Sequence, residues 1–466
     1  MTTVRGCGYS GTPEPPCHEE TVTDERQLIK GLGRLEATNL VVGGIVGTSV
    51  FLITSEIAAT VGSPVLVLVT WLVAGLLAGA AALCFAELSA AMPQTGGTYI
   101  FLKRAYHSDL VSFCFGWMMC FAYGTGAIAV VAIMAATFLM PVLQVAGIVS
   151  EDHIGVTAVI LIAILTVLNA GGVRQGGITQ NVITFLKMTL IAALMSVPLF
   201  LGEPSLGRVG SVGSDASFLA DAGNVGTALI ICLFSYNGAY FVTHVAGEIR
   251  EPEKNIPRAI LGGFLIVLGV YLTINLIYVM VMPIDDIIAS ERIAADLMGR
   301  VLGPPGALVT SSVVFISAIG VLNAQLLNYP RIQFALARDG LFFSRFGEIG
   351  QRSRAPGAAI GLIGFLSALF ALTGSYVLIL SYVAFVIHFF ICLAVIAVMV
   401  LRVREPDLER PYKVWGYPFT PVTFLLVSFF YLGNLVVTQP FNVAVGVGIV
   451  LSGLPFYYYW RRSTGA

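Results

Sequence analysis

Polar and apolar residues alternate along this chain in long blocks. Twelve apolar blocks approach or exceed the roughly 20 residues that cross a bilayer. They lie at 39–61, 65–91, 109–141, 154–170, 179–202, 225–247, 259–282, 306–328, 357–374, 376–402, 419–437 and 440–460. The third is long enough to be strongly tilted, and only a tight Gly374-Ser375 turn separates the ninth from the tenth. This pattern predicts an all-α polytopic membrane protein of twelve transmembrane helices. Two blocks are interrupted. The first carries VVGGIVGTSVF from Val41 to Phe51, and the sixth carries Ser235-Tyr236-Asn237-Gly238 in the middle of LIICLFSYNGAYFVTH. Glycine costs a helix interior roughly 1 kcal/mol against alanine, so both are weak points in otherwise strong helices.

Composition agrees with a membrane protein. The 466 residues are 57% hydrophobic and 11% charged, whereas about 25% charged is usual in soluble domains. Residues 1–38 form a polar, Gly- and Pro-rich tail without the apolar core of a signal peptide,. Of the seven Cys, Cys7 and Cys17 lie in the tail and the others in apolar blocks, with no metal-ligand spacing. No metal, cofactor or nucleic-acid partner is expected; the partners are the lipid bilayer and a small-molecule substrate.

Lys and Arg orient the helices, because they accumulate on the cytoplasmic side. With a cytoplasmic N-terminus, 21 of the 25 fall in cytoplasmic segments. Arg208, Arg292 and Arg300 fall outside, and Lys187 lies within the fifth span. An odd number of spans would scramble this split. Both termini are therefore expected in the cytoplasm and the spans in the plasma (inner) membrane.

The interrupted spans open two halves of five spans each, at 39–202 and 225–402, which together read as a transport core. Residues 403–466 add two further helices and a short cytoplasmic end. Interrupted helices at corresponding positions of two halves point to a transporter binding site. Unwinding frees N–H groups on one side of a break and C=O groups on the other. At membrane depth, such backbone persists only where protein or a water-filled cavity satisfies it. The outer half of the first span starts near Ser49, so its positive end suits a carboxylate. Freed carbonyls of Ile45, Val46, Phe234 and Ser235 suit an ammonium group. The pair fits a zwitterion with both groups on one carbon. Helix packing explains such glycines in one span equally well; their recurrence in the sixth favours a site.

The chain resembles bacterial members of the amino acid–polyamine–organocation superfamily, especially relatives of the L-type amino-acid transporters. GGIVGTSVF is similar to the family's Gly-Ser-Gly-Ile-Phe element. FAELSAAMPQTGGTYIFLKRAY, VAGEIREPEKNIPRAI, NYPRIQFALARDGLF and RPYKVWGYPFTP resemble later family segments in the right order. The resemblance implies a LeuT-like fold of two inverted repeats working by alternating access. It implies that Gly47, Thr48 and Ser49 meet a substrate carboxylate and that the carbonyls of Ile45, Phe234 and Ser235 meet its amine. The Phe-x-Tyr-x-Gly element brings Tyr236, Gly238, Ala239 and Tyr240 to the same site. Ser49 stands where the family has Gly, which brings a side chain closer to the carboxylate. Ala239 stands where an aromatic residue is common, which enlarges the side-chain pocket or moves the gate to Phe234 and Tyr240. Some sodium-independent relatives carry a Lys at the place of Lys187, with its ammonium where a sodium ion sits in sodium-coupled members. The other reading of Lys187 is snorkelling to the interface. Heteromeric relatives use a Cys between spans 3 and 4 to bind a heavy chain. Pro141 to His153 contains none, so no disulfide-linked subunit is expected.

The expected function is secondary transport of amino acids, as an exchanger or proton-coupled symporter that does not need sodium. Neutral substrates are favoured because no acidic residue closely flanks either break. Glu56, about 10 Å beyond Ser49 along a helix, reads as a vestibule carboxylate, a proton-coupling acid or a filter for cationic side chains. The alternative keeps the fold and carries cationic amino acids, polyamines or another organic amine. An enzyme would need a nucleophile–base pair or metal cluster at membrane depth, and the spans contain none. His244 and His388 read as polar packing residues. Glu248, Arg250 and Lys254 are candidates for ion pairs closing an inner gate, and the seventh helix is expected to start at Pro257.

Overall fold

A computed structural model describes residues 28–149, 153–210, 218–373 and 376–463, with backbone alone at 218–223, 234, 376–380 and 463. The Gly374-Ser375 turn expected between the ninth and tenth spans lies outside the described residues, as do Cys7 and Cys17. In chain order the helices are α1 (Arg34–Ile45), α2 (Thr54–Val61), α3 (Pro64–Ala91), α4 (Thr98–Tyr106), α5 (Asp109–Phe121), α6 (Tyr123–Val145) and α7 (Ile154–Ala170). Next come α8 (Val173–Leu201), α9 (Leu206–Val209), α10 (Phe218–Ser235), α11 (Phe241–His244), α12 (Pro252–Val281), α13 (Ile284–Ala289) and α14 (Ile293–Leu302). The last are α15 (Pro304–Asn328), α16 (Pro330–Arg338), α17 (Gly357–Thr373), α18 (Tyr376–Arg404), α19 (Phe419–Thr438), α20 (Pro440–Leu451) and α21 (Leu454–Ser463).

Eight helical stretches among the described residues are long and apolar enough to cross a membrane. A ninth arises if Arg34–Phe51 and Thr54–Val61 count as one span, bent by 58°. Ile154–Ala170, Asn224–Leu233 and Gly357–Thr373 are shorter apolar helices. The chain is a multi-pass membrane protein of helices. The longest packing seams join α3 to α12, α6 to α15, α1 to α12 and α7 to α17.

Three elements differ from the sequence expectation, each for a local reason. The third span is two helices, α5 and α6, joined at Ala122 (φ −142°, ψ −79°). The fifth begins at Val173, six residues early, because its polar first turns have partners that hydropathy ignores. Asn39 Nδ2 donates to Asn181 Oδ1 (2.8 Å), Asn181 Nδ2 to Glu36 Oε1 (3.0 Å), and Asn323 Nδ2 to Gln180 Oε1 (2.8 Å). The seventh begins at Pro252 instead of Pro257. Pro252 takes the first helical turn, where its missing N–H is harmless, and Pro257 lies inside the helix.

The chain ends of several elements are tied together near α1. Leu32 N donates to Glu248 O (3.0 Å) and Arg250 N to Leu32 O (2.8 Å), a single parallel bridge. Gly96 N donates to His244 O (2.9 Å), adding the α3–α4 turn to the same layer.

Candidate functional site

The two breaks meet. α1 ends at Ile45, and Val46 turns to φ −69° and ψ 93° before the short 3-10 turn Ser49–Phe51. α10 ends at Ser235, and residues 236–240 turn before α11. Gly238 has φ 128°, and a Cβ there would stand 3.0 Å from the Gly44 carbonyl oxygen. A side chain is thus disfavoured twice, strained by its backbone conformation and crowded by the other break.

A helix end leaves its last carbonyls without intrahelical partners. Side chains from three other helices reach the carbonyls at the end of α1. Lys187 Nζ on α8 donates to Gly43 O (3.0 Å) and Val46 O (2.6 Å). Ser317 Oγ on α15 lies 3.1 Å from Val46 O and 3.3 Å from Gly47 O. Tyr271 Oη on α12 lies 2.8 Å from Ile45 O and 3.2 Å from Ser235 O, so one phenol bridges both breaks. Its single proton serves one carbonyl at a time. Gln180, Thr184 and Lys187 recur at helical spacing on one buried face of α8, which aims all three at α1. The Lys187 amine also lies at the negative end of the α1 dipole. On the other side of the break, the amides of Gly47, Thr48, Ser49 and Val50 donate to no backbone carbonyl among the described residues.

A cavity of about 690 Å³, part of it open to solvent, lies against both breaks. Gly44, Ile45, Gly47, Thr48 and Ser49 form one wall, and Ser235, Asn237 and Phe241 another. Tyr123, Val130, Val131 and Met134 of α6 and Ala318, Val321 and Gln325 of α15 complete it. Its polar groups are hydroxyls, amides and backbone; none of these lining residues ionises near neutral pH. The amides at 47–50 carry the partial positive charge of free N–H groups.

A bent helix pair, amides outside the backbone hydrogen-bond network and a cavity against both breaks describe a solute site, and sequence comparison says of which kind. The profile of the amino acid permease family matches residues 32–453. The chain belongs to the amino acid permease family. It is 30% identical over 444 residues to the serine/threonine exchanger SteT of Bacillus subtilis (strain 168), covering 94% of this chain and 99% of that protein. It is 29% identical over 442 residues to the large neutral amino acids transporter small subunit 2 of Mus musculus, covering 93% and 82%. It is 27% identical over 436 residues to the b(0,+)-type amino acid transporter 1 of Homo sapiens, covering 92% and 88%. The protein is a transporter, not an enzyme.

The permease brings some of the expected site residues together and separates others. Ile45, Gly47, Thr48, Ser49 and Ser235 line the cavity. Val46 does not: its side chain is buried elsewhere and its carbonyl is engaged by Lys187 and Ser317. Gly238 contributes the turn and packs on Gly44. Tyr236, Ala239 and Tyr240 line a different cavity on the opposite face of the second break. Tyr236 Oη donates to Trp71 O (2.9 Å), and Tyr240 stacks on Phe85 at 4.9 Å. Successive residues of a turn point to different sides, and the motif alone does not say which. The Phe234 side chain lies outside the described residues. Glu56 is exposed on α2 and away from the cavity lining. Tyr123, Asn237, Tyr271, Ser317 and Gln325 were missed. Asn237 sat inside the quoted motif, whereas the others are single polar residues in apolar spans.

Toward the end that carries Glu248 and Arg331, the permease is packed shut. Phe241 meets Tyr329 edge to face at 5.2 Å. Glu248 and Arg331, both wholly buried, form a two-pronged pair at 2.8 and 3.1 Å. Arg250 and Lys254 do not join it: Arg250 Nε donates to Lys30 O, and Lys254 pairs with Glu251 at 3.2 Å on the surface.

Proposed function

We propose that the permease carries neutral L-amino acids across the plasma (inner) membrane by sodium-independent exchange. The observation that carries this reading is the cavity between the two breaks, with the amides of Thr48, Ser49 and Val50 outside the backbone hydrogen-bond network at one side and no ionised side chain among its lining residues. The amides at 47–50 take the carboxylate, with Thr48 and Ser49 adding hydroxyls. Ile45 and Ser235 share the Tyr271 proton, so one of the two carbonyls is open to the substrate amine. Val130, Val131, Met134 and Val321 leave an apolar space for the side chain. A cationic side chain would find no carboxylate there, since Glu56 lies away from the cavity lining. The names of the exchanger and the neutral amino-acid transporter among its relatives favour the same reading. Lys187 places an amine on the break carbonyls, where a coupling cation would otherwise sit.

The packing pattern supports twelve spans and a LeuT-like core. Counting α1–α2 as the first span and α10–α11 as the sixth, the seams α3–α12, α6–α15 and α7–α17 each join helices five spans apart. The crossed seams also correspond: α1–α12 matches α10–α3, and α8–α15 matches α6–α18. That is the contact pattern of two inverted repeats, 39–202 and 225–402, with α19 to α21 outside them. Basic residues put the tail 1–38, the Glu248–Arg331 pair and the C-terminus in the cytoplasm. The cavity then faces outward while the cytoplasmic side is closed. On that closed side Asn328 Oδ1, Arg331 Nη1 and Gln333 Oε1 are buried without a partner. Such groups cost free energy when dry, so this layer suits a path that fills with water in the other half of the cycle.

The test is uptake into proteoliposomes holding the chain alone, with a panel of labelled amino acids. Uptake of serine, threonine or larger neutral amino acids should depend on internal amino acid, persist without sodium and need no second subunit. A sodium requirement would sink the reading of Lys187. Preferential uptake of arginine or a polyamine would replace neutral selectivity with the organic-amine alternative.

A further inference from the structure

α12 holds the first break from both sides. On the carbonyl side, Tyr271 Oη reaches Ile45 O (2.8 Å) and, across to the second break, Ser235 O (3.2 Å). On the amide side, Thr54 is the first residue of α2, and its Oγ1 donates to Asn275 Oδ1 on α12 at 2.7 Å. Asn275 stands one turn from Tyr271, about 6 Å along the helix. Its Nδ2 donates to Tyr271 O at 2.8 Å. Thr54, Tyr271 and Asn275 are all wholly buried.

A buried side-chain amide is costly in an apolar helix unless its groups are paired. Asn275 pairs one end within α12 and the other on α2. Among the described residues this is the one side-chain hydrogen bond from α2 to another helix; those of Ser55 and Thr60 stay local. α2 also packs on α3, α10 and α13, but apolar contact is non-directional, whereas a hydrogen bond fixes distance and angle. A compact turn joins Thr54 to the site. Phe51 N donates to Thr48 O (3.1 Å), and Leu52 N and Ile53 N donate to Ser49 O (3.0 and 2.9 Å). What fixes Thr54 therefore fixes the amides of Thr48, Ser49 and Val50.

We propose that Thr54 and Asn275 are positioning residues that determine specificity: with Tyr271 they make α12 a splint that sets the gap across the first break, and that gap measures the distance between the substrate's amine and its carboxylate. Such a site takes α-amino acids, in which one carbon separates the two groups. It discriminates against β-amino acids, in which a further C–C bond of about 1.5 Å separates them. A β-amino acid held by its carboxylate brings its amine to the wrong place at the break carbonyls. The discrimination rests on the proposed amino-acid site between the breaks; the anchoring of α2 does not.

The experiment compares isomers that carry the same atoms and charges and differ in spacing: alanine with β-alanine, and leucine with β-leucine. Affinities come from titrations of the unfolding midpoint of the purified full chain, and KM from uptake into proteoliposomes. In the parent chain each β-isomer should bind at least about ten-fold more weakly, for want of one charged hydrogen bond. Thr54→Val should weaken the α-isomers about five-fold and the β-isomers little, so that the ratio falls to about two-fold. Asn275→Leu should do the same, and the double variant should match the single ones, because all three remove one bond. Thr54→Ser keeps the hydroxyl and should retain the parent ratio. Hydrogen exchange of residues 49–61 should quicken in Thr54→Val and Asn275→Leu, and that of residues 34–45 should not. A lowered midpoint with an unchanged isomer ratio overturns the inference and leaves the pair a structural contact. A parent chain that binds both isomers of each pair alike, or neither, overturns it too. If the chain binds the α-isomers but moves none, the exchange reading fails while the isomer ratios still decide this one. If Asn275→Leu does not fold, the comparison of Thr54→Val with Thr54→Ser carries the decision.

Discussion

Lys187 holds the end of α1 from a helix far away in sequence. It occupies Gly43 O and Val46 O at once, and its removal leaves Gly43 O without a side-chain donor and Val46 O with Ser317 Oγ alone. Unmet buried groups cost about 1–3 kcal/mol each. Lys187→Ala should therefore lower the unfolding midpoint and reduce uptake at least about ten-fold; uptake near the parent rate would show that the amine only solvates itself. Tyr271→Phe tests the other end of the arrangement. It keeps the ring against Trp71 (5.2 Å) and Tyr236 (5.1 Å) and deletes only the hydroxyl that bridges Ile45 O and Ser235 O. Its stability cost should be about 1 kcal/mol. KM should shift while expression stays normal, read by equilibrium binding and uptake on the same preparation.

At the scale of elements, the breaks were legible because glycine, serine and asparagine in an apolar run are a local signal. Their existence and positions follow from intrinsic cost: each interrupts a helix that every neighbouring residue favours. Which face each turn residue presents was not legible. Tyr236, Ala239 and Tyr240 share a motif with Ser235 and Asn237, yet the turn directs them to another cavity. α8 shows the converse limit. Its first turns are polar, and only the bonds to Glu36, Asn39 and Asn323 make them part of the span. Gly238→Ala probes the element itself. Left-handed strain of about 1–3 kcal/mol adds to a clash with Gly44 O, so the variant should lose transport and most of its thermal stability. A functional Gly238→Ala, measured by uptake and unfolding midpoint, would mean that the two breaks part without consequence.

For the whole molecule, the buried Glu248–Arg331 pair joins the α11–α12 loop to α16 and closes one end of the permease. Removing one member leaves an uncompensated buried charge, worth about 3–5 kcal/mol. Glu248→Ala and Arg331→Met should each shift the population toward the open cytoplasmic state, and the double variant should recover part of the loss. A cysteine placed at Gln325 in a cysteine-free background reads this out. Its labelling from the cytoplasmic side should rise in each single variant and fall back in the double; equal labelling in all would remove the pair from the gate. The sequence pointed to Glu248, Arg250 and Lys254 in this loop as candidates for gate ion pairs but did not give Glu248 its partner. Proximity in sequence favours solvated contacts, whereas the partner Arg331 comes from 83 positions away.

By itself the sequence determined that the chain lives in a membrane, as apolar helices interrupted at two corresponding places, and that it belongs with amino acid permeases. The membrane and the breaks are properties of composition and of local backbone cost, which each segment carries wherever it folds; the family is carried by motifs that resemble those of its relatives. Tertiary structure decided the rest: that Lys187, Tyr271 and Ser317 converge on one helix end, that Val46 is occupied, and that the second break divides two cavities. Those outcomes depend on which helix faces which, and on side chains reaching across tens to hundreds of residues. No local preference encodes them; only the packed arrangement does.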